Sequence, residues 1–473
     1  MKKNFQRIPR PTRLALLIAA PWLLAGCASL SGTGGIEPVQ KIAEQHLGQS
    51  VGVARSAAEQ DSAAKRVDEL LAKPLSADSA VQIALLNNRG LQASLHALGV
   101  VEAEVVQASR MPNPGFSFGR SKKGEEREIE RTFGFDLGHL IALPLARQAE
   151  SRRFAAAQRG TALEMLALAA DTRKAFYTAV AAEQTLSYMR DVQGAADAGA
   201  ELAKRMAQAG NWSRLQQARE HAFFADAALN TARAERARVA ARERLTRLLS
   251  LWGTQTAFTL PERLADLPGE PKDRPDIEQF AMSQRLDVQA AKAQSEATAR
   301  NLGLSRVTRF INVLELELSR NSSNEGPRQT GYEISVELPL FDWGGARVAR
   351  AESVYMQSLQ RAAQTAVEAR SEVREAYQAY RSSYDIARHY RDEAVPTAKR
   401  ISEENLLRYN GMFIGVFELL ADTRAQIGTV NASIEALRDF WVAQADLDMA
   451  LIGKPSLAGA AAPSVAGAAA AAH

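Results

Sequence analysis

Few side chains in this sequence are spaced to do covalent chemistry. The six histidines, His46, His96, His139, His221, His389 and His473, form no pair four residues apart, and Cys27 is the only cysteine. Neither a zinc site nor a Cys/His nucleophile can be assembled locally from such a set. No glycine-rich phosphate loop of the P-loop or dinucleotide type is present either. No catalytic residue, metal or cofactor is therefore expected, and the chain does not read as an enzyme. What it does hold is carboxylates in ordered arrays. Glu418 and Asp422 are four residues apart and share one helix face. Glu315 and Glu317, and again Glu333 and Glu337, alternate with apolar residues. Arrays of this kind attract cations and keep a surface wet.

The elements that must position these groups begin with a targeting segment. Lys2, Lys3, Arg7, Arg10 and Arg13 precede the apolar run Leu14 to Leu24, with no acid among them. That run is too short to span, reaching roughly 16 Å of a ~30 Å hydrocarbon core, so residues 1–26 read as a secretory signal. Leu24-Ala25-Gly26-Cys27 resembles a bacterial lipoprotein box, which implies cleavage before Cys27 and acylation there. Each buried CH₂ of such a chain contributes about 0.8 kcal/mol to membrane attachment. Ala28 stands where an inner-membrane retention Asp would stand, so the outer membrane of a Gram-negative bacterium is the implied destination. No later segment supplies 18 uninterrupted apolar residues. Without the five N-terminal cations, 53 basic residues face 54 acidic ones, which leaves no electrostatic footprint for nucleic acid. With only 6% aromatics, a thick aromatic-anchored enzyme core is not expected.

The chain repeats itself. Leu91-Gln92-Ala93 returns as Val288-Gln289-Ala290, Leu143-Pro144-Leu145 as Leu338-Pro339-Leu340, Ala209-Gly210-Asn211 as Asn410-Gly411, and Leu251-Trp252-Gly253 as Leu451-Ile452-Gly453. Four landmarks in one order at a spacing near 200 residues indicate a tandem duplication. The expected organisation is a signal at 1–26, an anchored extension at 27–74, repeat one at 75–253, a Pro-rich linker at 254–275, repeat two at 276–453 and a disordered Ala-rich tail at 454–473. Each repeat reads as a helix of about 33 residues, a β-hairpin, a very long helix, a tight turn and a half-length helix. The first helix runs from about Asp78 to Arg110, where Pro112 and Pro114 stop it. The first hairpin lies at about 115–138, with strands Gly115–Gly119 and Thr132–Leu137, and an unbroken helix follows from Ala146 to Ala209. Pro396 should bend or interrupt the second long helix, either setting a taper or acting as a passive kink.

The second hairpin, at about 310–341, is the clearest. Strand Phe310 to Arg320 places Leu314, Leu316 and Leu318 on one face, and strand Thr330 to Phe341 places Tyr332, Ile334, Val336 and Leu338 opposite Glu333, Ser335 and Glu337. Strands of this length approach the ~9 to 11 residues that a tilted membrane strand requires. Pattern alone fits a half-exposed soluble hairpin equally well. The Cys27 anchor and the lack of further strands favour lipid. Four strands cannot close a membrane barrel, and open edges are not tolerated in lipid, so several chains must share one barrel. Two copies would give a filled eight-stranded bore, and three a twelve-stranded ring with an aqueous passage. Helix arithmetic gives roughly 96 Å for a 64-residue helix, consistent with a helical cylinder about 100 Å long. Leu245, Leu248, Leu249, Trp252 and Ile434, Leu437, Trp441, Ala445 form seams for helix packing.

Ala80 to Ala93, the break Met111-Pro-Asn-Pro114, Val336-Glu-Leu-Pro-Leu-Phe-Asp-Trp-Gly-Gly-Ala-Arg347 and Asn405 to Asp422 resemble the TolC-like outer-membrane factor family over roughly residues 75 to 453. Gly344 and Gly345 suit the sharp strand-to-helix exit. In copy one, Leu143-Pro-Leu-Ala-Arg-Gln departs from the family's Phe-Asp-Gly-Gly pattern. The resemblance implies a mainly α fold, with tandem helical hairpins forming an α-barrel and four transmembrane strands per chain in a twelve-stranded barrel shared by a homotrimer. It also implies an outer-membrane, lipid-anchored channel with a periplasmic body, docking through its tip onto a periplasmic adaptor and an inner-membrane pump. Asp422 and Glu418 would ring the periplasmic constriction, and Arg408 and Tyr409 would restrain it. The docking turns would be Gly210, Asn211, Trp212, Ser213 and Gly411, Met412, Phe413, Ile414, Gly415. Glu315, Glu317, Glu333 and Glu337 would face the lumen. The competing reading is a non-channel periplasmic coiled-coil lipoprotein serving as an envelope spacer or adaptor.

Overall fold

The computed structural model describes residues 30–307, 314–336 and 340–456. Cys27, the 457–473 tail and Glu337 lie outside them. The described chain divides into two units that cut across the sequence repeats. One takes the described residues up to Glu37 with His96–Gln158 and Ala290–Ala363; the other takes Pro38–Leu95, Arg159–Gln289 and Gln364 onward.

Repeat one is preceded by helices α1 (Glu37–Leu47) and α2 (Ala57–Leu71), within the stretch expected as an anchored extension. A reciprocal cap between Ser56 and Glu59 starts α2. The helix expected as one piece of 33 residues is two, α3 (Ala77–Asn87) and α4 (Arg89–Ala108). The break falls on Asn88, whose backbone is extended and whose carboxamide oxygen accepts from the Leu91 N–H at 3.0 Å. An Asn can cap the second piece in this way, so no Pro or Gly is needed. Strands β1 (Gly115–Lys123) and β2 (Glu126–Asp136) follow. They run further toward the hairpin turn than their Phe-rich parts, through charged residues that stay in register, including Lys123 opposite Glu126. Helix α5 (Leu137–Gln208) is 72 residues long, and it starts nine residues earlier than expected because Pro144 lies inside it. Helix α6 (Arg214–Leu249) completes the copy.

Repeat two has the same layout. Helices α7 (Ile277–Gln284) and α8 (Leu286–Val307) break at Arg285, strands β3 (Leu314–Ser323) and β4 (Gln329–Val336) form the hairpin, and α9 (Gly345–His389) follows. Gly344, before α9, has φ +68°, the left-handed conformation that glycine permits. The interruption expected at Pro396 is present. A π-helical turn at Tyr390–Ala394 separates α9 from α10 (Val395–Asn410), with the Val395 N–H reaching the Tyr390 carbonyl five residues back. The wider turn accommodates a proline that has no N–H to give. Helix α11 (Val416–Ala450) ends the element order.

The four strands make one antiparallel sheet in the order β1-β2-β3-β4, so the two hairpins of the two repeats join through β2 and β3. The first unit buries Leu98, Val106, Ala149 and Leu302 between its helices, and the larger apolar clusters lie between helices of the second unit. Leu245, Leu249, Ile434, Phe176 and Val180 share one cluster, and Val373, Tyr380, Tyr384, Phe440 and Leu447 another. Of the expected seams, Leu245, Leu249, Ile434 and Ala445 are buried and Leu248, Leu437 and Trp441 half-buried, while Trp252 is 79% exposed because the chain leaves α6 through a left-handed Ser250 before reaching it. The Pro-rich linker is a fixed strap. Phe258, Leu264 and Leu267 are buried, and the Trp441 indole N–H donates to the Ala265 carbonyl at 3.0 Å. The Tyr384 hydroxyl donates to the Gly269 carbonyl at 2.6 Å. Among the described residues no helix is long and apolar enough to cross a membrane.

Candidate functional site

The sheet separates its side chains by chemistry. Leu314, Leu316 and Leu318 lie opposite Val336, Ile334 and Tyr332, while Leu318 and Leu316 also lie opposite Phe133 and Phe135 of β2. Phe116 of β1 completes the row, its ring 4.8 Å from that of Phe133. Phe116, Phe118, Phe133, Leu318, Tyr332, Ile334 and Val336 are all exposed, Tyr332 at 76%. Alternation puts the intervening residues on the other face. These are Asp136 opposite Glu315, Gly134 opposite Glu317, Glu317 opposite Glu333, and Glu128 and Glu130 nearer the hairpin turn. The expected lumen residues Glu315, Glu317 and Glu333 therefore share one acidic face. Like charges directly opposite, as at Glu317 and Glu333, oppose pairing and persist only where water reaches them.

Among the described residues strands β1 and β4 each pair on one side only, which leaves two rows of backbone donors and acceptors unpaired there. An exposed apolar face bounded by two open edges is a surface that calls for a covering partner.

The two helical turns differ. In the first, Gly210 has φ +77°, Asn211 donates its N–H to the Met206 carbonyl at 2.9 Å, and Trp212 leads to Ser213. Ser213 and Gln216 then cap α6 reciprocally. In the second, the left-handed residue is Met412, φ +63°, rather than Gly411, φ −80°. Gly411, Met412 and Phe413 donate to the carbonyls of Leu407, Tyr409 and Arg408 at 2.9 Å each. Ile414 leads to Gly415, which starts α11 without a side-chain cap. Met412 and Phe413 are 93% and 84% exposed.

Asp422 accepts a hydrogen bond from the Asn405 carboxamide, which ties α11 to α10. Arg408 and Tyr409 lie in the last turn of α10, and among the described residues their side chains make no hydrogen bond to Asp422 or Glu418. Glu418 stands in the first turn of α11, exposed. Asp422 also lines a groove of about 400 Å³ with His389, Glu393, Thr397, Ile401 and Thr429. The sequence reading missed two partners here. One is Asn405. The other is Arg424, which binds both carboxylate oxygens of Glu220 at 2.9 and 3.0 Å and lies over the Phe223 ring at 4.3 Å. Glu220 is 2% exposed, so this pair ties α6 to α11. Among the described residues no cluster of three or more His, Cys, Asp or Glu could hold a metal ion.

No protein-family profile matches the sequence. The fold is that of the TolC-like outer-membrane channels. It superposes on the Campylobacter jejuni CmeC outer-membrane channel with a TM-score of 0.69 at 16% identity, covering 85% of this chain and 89% of that one. The open state of the Neisseria gonorrhoeae MtrE outer-membrane channel gives 0.67 at 18% identity, covering 82% and 89%. In sequence, the chain is similar to the cobalt-zinc-cadmium resistance protein CzcC of Cupriavidus metallidurans, 26% identical over 281 residues. That match covers 57% of this chain and spans 64% of the length of the relative.

Proposed function

We propose that this chain is the outer-membrane channel subunit of a tripartite efflux or type I secretion system. It acts as a passive conduit from periplasm to exterior, anchored by an acylated Cys27. The observation that carries the reading is the four-stranded sheet, apolar and exposed on one face, acidic on the other and unpaired at both edges. Three copies joined edge to edge make a closed twelve-stranded ring, with the apolar face toward lipid and the Glu315, Glu317, Glu333 face toward water. Energy comes from an inner-membrane pump, and a periplasmic adaptor docks at the turns 210–213 and 411–415, where Met412 and Phe413 offer apolar surface. Asp422 and Glu418, repeated three times, form an acidic ring that biases the closed end toward cations. Arg408 and Tyr409, at the end of α10 across the helical turn, restrain it.

Planar-bilayer conductance tests this. Wild type should open cation-preferring pores, and Asp422→Ala with Glu418→Ala should weaken that preference. Unchanged selectivity would remove the acidic ring. Absence of any conductance, with soluble elongated monomers after deletion of residues 1–27, would favour the spacer reading.

A further inference from the structure

The sheet carries a second segregation, along the strands rather than between the faces. All four strands meet helices at one end and hairpin turns at the other. On the apolar face, the row through Phe116, Phe133, Leu318 and Tyr332 is followed toward the turns by a row in which Phe118 lies opposite Arg131 and Arg131 opposite Arg320. Next comes Arg120 opposite Ile129, then Lys122 opposite Arg127. Five cations thus occupy the turn end of the face whose other end is wholly apolar. The carboxylates of these strands, Glu126, Glu128, Glu130, Asp136, Glu315, Glu317 and Glu333, fall on the opposite face. Among the described residues none of the five cations is paired with a carboxylate. Arg131 lies 6.0 Å from the centre of the Phe118 ring, and Arg120, Lys122, Arg127 and Arg320 are exposed.

A row of unpaired Arg and Lys directly against an apolar band is costly in hydrocarbon, and the cost falls toward the headgroups. The row of Arg131 and Arg320 therefore marks the level at which hydrocarbon ends. Cations facing outward at that level need anions outside the protein, and guanidinium matches phosphate oxygens in pairs.

We propose that this basic band, Arg120, Lys122, Arg127, Arg131 and Arg320, binds the phosphate groups of the outer leaflet's phosphorylated glycolipid, so that each protomer is collared by anionic lipid. The inference rests on the membrane reading above, because it takes the turn end of the sheet as the outer-leaflet end. Glu125 and Glu325 lie in the turns, beyond the band.

The test is lipid retention by the full-length chain purified in detergent, read by native mass spectrometry with three probes. These are bisphosphorylated lipid A, the same lipid stripped of phosphate, and phosphatidylglycerol. Wild type should retain bisphosphorylated lipid A at least fivefold better than either other lipid, with the difference shrinking as salt rises. Combined Arg120→Gln, Arg131→Gln and Arg320→Gln should abolish the preference, while Glu128→Gln with Glu130→Gln on the other face should preserve it. Equal retention of phosphorylated and stripped lipid overturns the proposal, and so does equal retention of phosphatidylglycerol or a preference that survives the triple variant. If the triple variant does not fold, the ranking of the three lipids by wild type decides alone. A protein that conducts in bilayers yet shows no preference loses only this inference. One that neither inserts nor conducts loses the channel reading with it.

Discussion

The two repeats build the same layout with different chemistry at the joint where the first helix breaks. In repeat one the joint is neutral. The Asn87 amide donates to the Leu249 and Ser250 carbonyls and the Asn88 amide to that of Leu248, each at 2.9 Å, fastening the break to the end of α6. In repeat two the joint is charged. Arg285, 1% exposed, donates to the Ala369 and Ala450 carbonyls at 3.3 and 3.2 Å and binds Asp287 and Glu372 at 2.6 Å each. Both joints hold the last turn of the final helix of their copy, so the constraint is shared and only the chemistry differs. The turns differ in the same direction. The first is capped on both sides, while the second has an uncapped start at Gly415 and a left-handed Met412. Helix α10, leading into the second turn, has no buried residue. Both hairpins of the duplicated scaffold are thus closed by backbone hydrogen bonds, and they differ in the side-chain cap, present at the start of α6 and missing at the start of α11.

Substitution at the two joints is the strongest way to break this comparison. Arg285→Ala takes the buried guanidinium from the half-buried Asp287 and Glu372, of which Glu372 keeps Lys454 at 3.9 Å, and should lose about 3 kcal/mol, read as the unfolding midpoint in detergent. Asn88→Ala removes a cap and one tertiary hydrogen bond and should lose about 1–2 kcal/mol. Equal losses would mean that the charged network adds nothing over the amide joint. At the turns, Ser213→Ala should lose about 1 kcal/mol, while Gly415→Ser should gain a few tenths. Hydrogen exchange of the first turns of α6 and α11 checks both. The smallest effect belongs to Asp446, which Lys174 holds at 2.8 Å. Burial raises its pKa above the usual 3.8, against the pull of Lys174. A raised carboxylate binds its proton more tightly when folded. Its contribution is therefore complete below the unfolded value and is lost as pH rises through the folded one. Asp446→Asn, which resembles the protonated form, should unfold at or slightly above wild type at neutral pH, with the difference vanishing below about pH 4.

The strand faces were legible because a period of two is written directly in Leu314, Leu316, Leu318 and Tyr332, Ile334, Val336. The two turns and the exit at Gly344 were legible from glycine. The joints were not, since neither Asn88 nor Arg285 is a helix breaker by type, and the carbonyls from the far end of each repeat that receive their side chains are out of sight in the sequence. Pro144 misled in the other direction, because a proline near a helix start reads as a stop. The pairing of β2 with β3 joins residues nearly 200 positions apart, and no local pattern reports it. At the candidate constriction, Asp422 was found through the family resemblance, whereas its partner Asn405 and the Glu220–Arg424 link needed the packed helices to be seen.

A shared barrel requires that the open edges of β1 and β4 be closed by other copies of the chain. Electron microscopy of particles of the full-length protein purified from membranes measures this directly. The account predicts threefold particles with one twelve-stranded ring, β1 of each protomer paired to β4 of the next. Single protomers, or rings in which those two edges stay unpaired, would contradict it.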